Sequence, residues 1–94
     1  MKRVLVIDDD ERIRDLLAEY LGARGLDVEV AADGEEGLAR LRGGGFDLAV
    51  LDIMMPGKDG FEVCRELRSF SPLPVIMLTA RGDDFDRIVG LELG

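Results

Sequence analysis

The sequence predicts an α/β fold, in which helices cover both faces of a parallel sheet. Four short apolar segments, rich in β-branched residues, alternate with stretches in which apolar residues recur every three or four positions. Three of these segments are apolar without interruption, which is typical of parallel strands buried on both faces, whereas the second contains Glu29 and is expected at an edge. The predicted strands are Val4–Ile7, Val28–Ala31, Leu48–Leu51 and Val75–Leu78.

The first helix is predicted between the first two strands. Asp9 or Asp10 can cap its start, and Gly25 suits the left-handed residue that often closes a helix. The spacing of three and four residues also predicts which side chains form its inner face. These are Ile13, Leu16, Leu17, Tyr20 and Leu21.

Three further helices are predicted from shorter patterns. The second runs from about Gly34 to Arg42, with Asp33 as its cap and three glycines as its stop. The third runs from about Gly60 to Phe70 and is expected to bury Phe61, Cys64 and Leu67. The fourth covers 83–93, with an inner face formed by Phe85, Ile88, Val89 and Glu92. Strand and helix would then alternate four times, with right-handed crossovers.

Composition and charge exclude several classes of function. The 94 residues allow one domain, and 47% hydrophobic with 34% charged residues is typical of a soluble globular protein. No apolar run approaches the length of a membrane span and the first residues do not resemble a signal peptide, so we expect a cytoplasmic protein without a membrane partner. The net charge of −8 disfavours direct binding of nucleic acid. Because the chain has no histidine and one cysteine, its chemistry is expected to use carboxylates.

Polar residues follow three of the four predicted strands. The first strand is followed by Asp8, Asp9 and Asp10, the third by Asp52, and the fourth by Thr79. Ligands of parallel sheets bind beyond the carboxyl ends of the strands, and neighbouring strands are about 4.8 Å apart. If the first and third strands are neighbours, their carboxylates can share one ion. Carboxylate oxygens favour Mg²⁺ or Mn²⁺, which would also relieve the repulsion between them.

A carboxylate beside such a cation can attack phosphorus to give an aspartyl phosphate, and Thr79 would offer its hydroxyl to the phosphoryl group. The structural alternative is that Asp8 to Asp10 only cap a helix and that Asp52 only begins a turn. The coincidence of suitable residues at three strand ends favours the chemical interpretation.

Three segments of the chain resemble the receiver domain of bacterial two-component response regulators, in the order and spacing of that family. They are VLVIDDD at 4–10, LDIMMPGKDG at 51–60 and PVIMLTA at 74–80. The resemblance extends over the whole chain and implies a flavodoxin-like (CheY-like), doubly wound parallel sheet with strand order 2-1-3-4. Residues 81–94 resemble the OmpR/PhoB subfamily, and most of all its envelope-stress regulators of the CpxR type.

The resemblance implies a role for each candidate site residue. Asp52 would be the phosphoacceptor, and the switch hydroxyl of Thr79 and the backbone N–H of Ala80 would bind the phosphoryl group. The implied ligands of Mg²⁺ (or Mn²⁺) are Asp8, Asp9, Asp52 and the backbone carbonyl of Met54. In the loop after the phosphoacceptor, Gly60 is expected to adopt a positive φ, and Lys58 is expected to be solvated.

The resemblance also implies what surrounds the domain. A sensor histidine kinase would supply the phosphoryl group to a regulatory module that is not itself an enzyme, and a DNA-binding effector domain would follow. Residues 1–94 are expected to form an incomplete receiver domain, which ends before the fifth strand, its lysine and the fifth helix. The 75–78 strand would then be an exposed edge, from which we expect self-association into a homodimer or a strand-exchanged oligomer.

Two other functions remain open at this point. Asp8 and Asp10 also fit the nucleophile and the acid/base of haloacid-dehalogenase-type phosphatases, although Arg12 is unusual for that motif and Asp52 would have no role. The second is an interaction module that is never phosphorylated.

Overall fold

The computed structural model describes residues 1–80 and 87–92 as a five-stranded sheet with three helices. In chain order the elements are β1 (Arg3–Ile7), α1 (Glu11–Gly22), β2 (Asp27–Ala31), α2 (Gly34–Arg42), β3 (Leu48–Asp52), α3 (Gly60–Arg68), β4 (Val75–Ala80) and β5 (Arg87–Glu92). The strand order is β2-β1-β3-β4-β5, and the first four strands are parallel. The predicted α/β class and the order 2-1-3-4 are confirmed. In the part of the chain that is described, no helix combines the length and the apolar character needed to cross a bilayer.

The segment 87–92 corrects one prediction. It forms a strand that runs antiparallel to β4, from Ala80 opposite Arg87 to Val75 opposite Glu92, so the fourth helix is wrong for these residues. The rest of that predicted helix lies outside the described residues. β-Branched residues such as Ile88 and Val89 favour strands. Without β5, the backbone groups along the outer edge of β4 would be unpaired, so a strand can form there. The expectation that β4 is the exposed edge is therefore also wrong, because β5 pairs with it.

Aspartate side chains begin all three helices. The Oδ1 atoms of Asp10 and Asp33 accept hydrogen bonds from the backbone N–H groups of Arg12 (2.9 Å) and Glu36 (2.8 Å), which confirms two predicted caps. The cap of α3 is Asp59, which the sequence reasoning missed. It forms a capping box with Glu62, and the Asp-x-x-Glu spacing is the signal that predicts this motif.

The two faces of the sheet are packed differently. On one face, α2 and α3 cover a cluster of buried side chains that includes Leu5, Leu38, Leu51, Val63 and Leu67. On the other face, α1 covers Val4, Val6, Val50 and Leu78 and contributes no fully buried residue of its own.

Three side chains that were predicted inside lie at the surface. Leu16 and Tyr20 of α1 are 59% and 52% exposed, because α1 contacts the sheet through the neighbouring Leu17 and Leu21. Phe61 of α3 is 55% exposed. The buried face of α3 is instead Gly60, Val63, Cys64 and Leu67, with the three- and four-residue spacing of a helix.

Candidate functional site

Three carboxylates meet at the carboxyl ends of β1 and β3. The register pairs Ile7 of β1 with Leu51 of β3, so Asp8 and Asp52 each lie one residue further along adjacent strands. One oxygen from each of Asp8, Asp9 and Asp52 lies within 4.8 Å of the other two. The structure thus brings together the three side chains that the sequence suggested as metal ligands.

Two of these carboxylates are buried. Asp8 is 0% exposed and Asp52 is 4% exposed, whereas Asp9 lies at the surface. Asp8 Oδ1 accepts a hydrogen bond from the backbone N–H of Asp10 (2.9 Å), and Asp52 Oδ1 accepts one from that of Met54 (3.2 Å). Neighbouring buried carboxylates repel each other when both are charged. Either one of them binds a proton, or a cation lies between them. Three carboxylates around one point are a donor set that fits a hard divalent cation.

An arginine that the sequence reasoning missed lies beside the cluster. Arg14 Nη1 of α1 donates a hydrogen bond to the backbone carbonyl of Asp8 (2.8 Å), and the backbone N–H of Asp8 donates to Ala31 of β2 (3.2 Å). The backbone of Asp8 is therefore held between α1 and β2. No sequence signal marks Arg14, because the contact depends on the angle at which α1 leaves β1.

The loop 53–59 joins β3 to α3 and passes over the site. The side chain of Met54 is 69% exposed, but its backbone N–H is bound to Asp52, so this peptide lies against the carboxylate. Met55 is buried in the cluster under α2 and α3. The loop is therefore attached to the core immediately after the peptide that contacts Asp52.

Glycines set the conformation of this loop, but not as predicted. The positive φ belongs to Gly57 (75°), so the expectation for Gly60 is wrong. Gly60 is needed for a different reason, since a Cβ at this position would lie 2.6 Å from the carbonyl oxygen of Asp52 and 2.7 Å from the Cα of Ile53. The absence of a side chain lets α3 begin directly against the end of β3.

Lys58 is bound rather than solvated, contrary to expectation. Its side chain is 22% exposed, donates a hydrogen bond to Glu66 of α3, and lies 3.7 Å from a carboxylate oxygen of Glu35 of α2. The bond to Glu66 raises the pKa of Lys58, and the same bond lowers the pKa of Glu66. Both groups are therefore charged at neutral pH.

Thr79 and Ala80 are the last residues of β4, next to β3 in the sheet. The register pairs Asp52 with Leu78, so the backbone of Thr79 follows one residue beyond the partner of Asp52. This placement brings the fourth strand end to the same edge as the carboxylates. It concerns the backbone, and the roles of the Thr79 hydroxyl and the Ala80 N–H stay predictions.

Comparison with known proteins gives the family. Residues 4–94 match the sequence profile of the response regulator receiver domain. The chain belongs to this family. It is 53% identical to the transcriptional regulatory protein AfsQ1 of Streptomyces coelicolor and 50% identical to the transcriptional regulatory protein CpxR of Klebsiella pneumoniae, over all 94 residues in both cases. These matches cover 42% and 40% of the two regulators, so this chain spans about two fifths of their length.

Solved receiver structures have the same fold. The response regulator TrrA of Thermotoga maritima, determined in complex with Mg²⁺ and BeF, superposes with a TM-score of 0.82 at 44% identity, over 87% of this chain and 72% of TrrA. The chemotaxis protein CheY4 of Vibrio cholerae gives 0.78 at 36% identity, over 90% of this chain and 73% of CheY4.

These matches confirm the family inferred from the three motifs. The chain is a receiver domain of the two-component response regulators, and its relatives are transcriptional regulators of the OmpR/PhoB type. A receiver domain is a regulatory module with a phosphoacceptor role, so the family favours neither the dehalogenase-type phosphatase nor the module that is never phosphorylated.

Proposed function

We propose that Asp52 accepts a phosphoryl group from a sensor histidine kinase, in a reaction that depends on a divalent cation held by Asp8, Asp9 and Asp52. The observation that carries this proposal is the convergence of the three carboxylates within 4.8 Å, two of them buried. An oxygen of Asp52 would form the new bond to phosphorus while the bond from phosphorus to the donor nitrogen breaks. The cation, Mg²⁺ or Mn²⁺, would neutralise the charge on the transferring oxygens.

The contacts around Asp8 support a holding role for this residue rather than an attacking one. Its side chain accepts from the Asp10 N–H, and its backbone is bound to Arg14 and Ala31. Asp10 is occupied as the cap of α1, where the backbone N–H of Arg12 holds the pKa of its carboxyl below the ordinary value. A carboxylate used in this way is poorly suited to the acid/base role that the phosphatase alternative requires.

The remaining roles follow from the loop and from β4. The backbone N–H of Met54 is bound to Asp52, so the backbone of this residue begins next to the carboxylate, which supports its carbonyl as a further ligand of the cation. The backbone register supports Thr79 as the switch hydroxyl and Ala80 as the N–H donor to the phosphoryl group. Both belong to β4, so phosphorylation would change the conformation at the end of the strand that pairs with β5.

The protein as a whole is proposed to be a transcriptional regulator. Relatives with this activity are more than twice as long as the chain, and the net charge of −8 would repel DNA. DNA would therefore be contacted through a separate C-terminal effector domain, in the cytoplasm, with residues 1–94 as part of the receiver. The outer edge of the sheet at β5 is a further candidate for self-association into dimers.

Labelling with acetyl phosphate and Mg²⁺, followed by intact mass measurement, tests the site. The parent chain is expected to gain one phosphoryl group, Asp52→Asn to gain none, and Asp8→Asn to be labelled at least about tenfold more slowly. Removal of the cation by EDTA should abolish labelling, and Mg²⁺ or Mn²⁺ should restore it. Asp15→Asn, at an exposed position of α1, is the matched control and should behave as the parent.

The same experiment separates the phosphatase alternative. A phosphatase would release phosphate continuously, would lose turnover in Asp8→Asn and would keep it in Asp52→Asn. Equal labelling of the parent and Asp52→Asn would overturn the proposed function.

A further inference from the structure

The loop 53–59 needs contacts on both sides of Gly57 to keep one backbone conformation, and Met55 supplies one of them by its burial. The first peptide of the loop is bound to β4, where the N–H of Ile53 donates to Leu78 (3.1 Å), and the N–H of Gly60 closes the loop by donating to the carbonyl of Ile53 (3.0 Å). Between these bonds lies Gly57 with φ of 75°. Glycine has the largest range of backbone conformations, so such a loop keeps one geometry only if other contacts hold it.

Lys58 supplies such a contact. The side chain reaches two helices at once, through Glu66 of α3 and Glu35 of α2. Its backbone also packs closely, because a Cβ at Gly34, the first residue of α2, would lie 3.2 Å from both Lys58 Cβ and Lys58 O. Besides the buried Met55, Lys58 therefore fastens the loop to the start of α2 and to the side of α3.

We propose that Lys58 is a positioning residue for the phosphoacceptor site. Its ion pairs hold the loop so that the Met54 peptide stays against the Asp52 carboxylate, and they thereby set the affinity for the divalent cation. The inference rests on the proposed function, since it assigns to Lys58 the geometry of the same site. The ion pairs of Lys58 are with Glu35 and Glu66, so it is proposed to act through the loop.

The surroundings of Glu66 make this proposal testable without loss of the fold. Arg42 of α2 lies 3.8 Å from the other carboxylate oxygen of Glu66, so Glu66 keeps a cation nearby when Lys58 is replaced. Arg42 does not belong to the loop. Lys58→Met and Arg42→Met therefore each remove one cation from Glu66, but only Lys58→Met also removes a contact of the loop.

Two measurements test the inference: the dissociation constant of Mg²⁺ by titration calorimetry, and hydrogen exchange of the Met54 amide in metal-free protein. Lys58→Met is expected to weaken Mg²⁺ binding about fivefold and to accelerate exchange of the Met54 amide by a similar factor. Lys58→Arg should bring both values back to within about twofold of the parent, because it keeps the charge. Arg42→Met should leave both unchanged. If Lys58→Met unfolds, Glu66→Gln replaces it and is expected to exceed Arg42→Met in both changes, because it removes the Lys58 pair as well as the Arg42 pair.

The outcomes separate this inference from the proposed function. A parent that fails to bind Mg²⁺ would overturn the proposed function, and with it the role of Lys58 in binding. A parent that binds, with Lys58→Met equal to it in affinity and exchange, would overturn the inference alone. Equal effects of Lys58→Met and Arg42→Met would also overturn it, because they would show general stabilisation by Glu66 pairs rather than control of the loop.

Discussion

The helices on the two faces of the sheet differ in how many of their own side chains they bury. Under α2 and α3, described side chains such as Leu38, Leu51 and Val63 are 0–1% exposed. Under α1, the helix itself buries none of its residues completely, and Leu16 and Tyr20 face outward. Since Val4 and Val6 of the sheet are also buried under α1, the difference lies in the helices, because α2 and α3 bury side chains of their own.

The comparison shows where the site gets its rigidity. The loop 53–59 is anchored on the α2 and α3 side by Met55 and Lys58, whereas Asp8 continues from β1 towards α1, and Arg14 of α1 binds its backbone. The Asp52 side of the cluster thus depends on close packing. The Asp8 side depends on individual hydrogen bonds.

The largest expected difference is between two leucines that pack on the sheet from opposite sides. Leu38→Ala in α2 should lower the free energy of unfolding by about 3 kcal/mol, because it leaves a cavity in a closely packed cluster. Leu17→Ala in α1 should cost about 1 kcal/mol, because that side chain is only half-buried and water can fill the space. Urea denaturation followed by circular dichroism measures both. Equal losses would show that the two faces are equally well packed.

Glycine-to-alanine substitutions compare the closeness of backbone packing at α3 with that at α1. Gly60→Ala should destabilise the fold by about 2 kcal/mol and weaken Mg²⁺ binding, because its Cβ would meet the backbone of Asp52. Gly22→Ala, at the end of α1, has no atom within 4 Å of the new Cβ and should leave stability unchanged or raise it by up to about 0.5 kcal/mol. Thermal unfolding with and without Mg²⁺ compares them. Tolerance of alanine at Gly60 would mean that α3 can shift without affecting the site.

Much of this arrangement follows from local sequence pattern. Three of the first four strands are continuous apolar segments, which favours buried parallel strands once helices flank them. The carboxylates at the strand ends are recognisable because parallel strands end at one edge of the sheet. The cap Asp59 had a clear signal in its spacing from Glu62. These features depend on neighbours within a few residues.

The features that were missed depend on distant partners. Residues 87–92 became a strand because β4 had an edge to pair with, which no six-residue pattern reveals. The exposure of Leu16 depends on how many helices share a sheet face, and the pairing of Lys58 with Glu35 depends on where α2 begins. The roles of Thr79 and Ala80 remain predictions from the motif.

The ion pair on the α2 and α3 side should appear in the pH dependence of stability. The pKa of Glu66 is lowered by its bond to Lys58, so this carboxylate stabilises the fold above its unfolded-state pKa of about 4.3, and the contribution is lost as pH falls through the lower folded pKa. The pKa of Lys58 is raised, so its contribution is complete below the ordinary lysine value and is lost as pH rises through the folded pKa.

Glu66→Gln should therefore be less stable than the parent by a constant amount between about pH 6 and pH 8, and the difference should shrink as pH falls below about 4.3 and through the lower folded pKa. Urea denaturation at each pH measures this difference. Glu19→Gln, at an exposed position of α1, is the matched control and should follow the parent at every pH. A constant difference between the parent and Glu66→Gln down to pH 3 would mean that the pair does not lower the pKa of Glu66.

The smallest effect is expected on the outer side of α1. Leu16→Gln should change the free energy of unfolding by no more than about 0.5 kcal/mol, because the side chain is 59% exposed and glutamine is an equally good helix former. Denaturation of the 94-residue chain measures this, and the contrast with Leu17→Ala, one residue away, locates the border of the contact between α1 and the sheet. A loss above about 1 kcal/mol would show that Leu16 is covered in solution, by another copy of the chain or by a rearranged α1, and a dependence of the loss on protein concentration would identify the second copy.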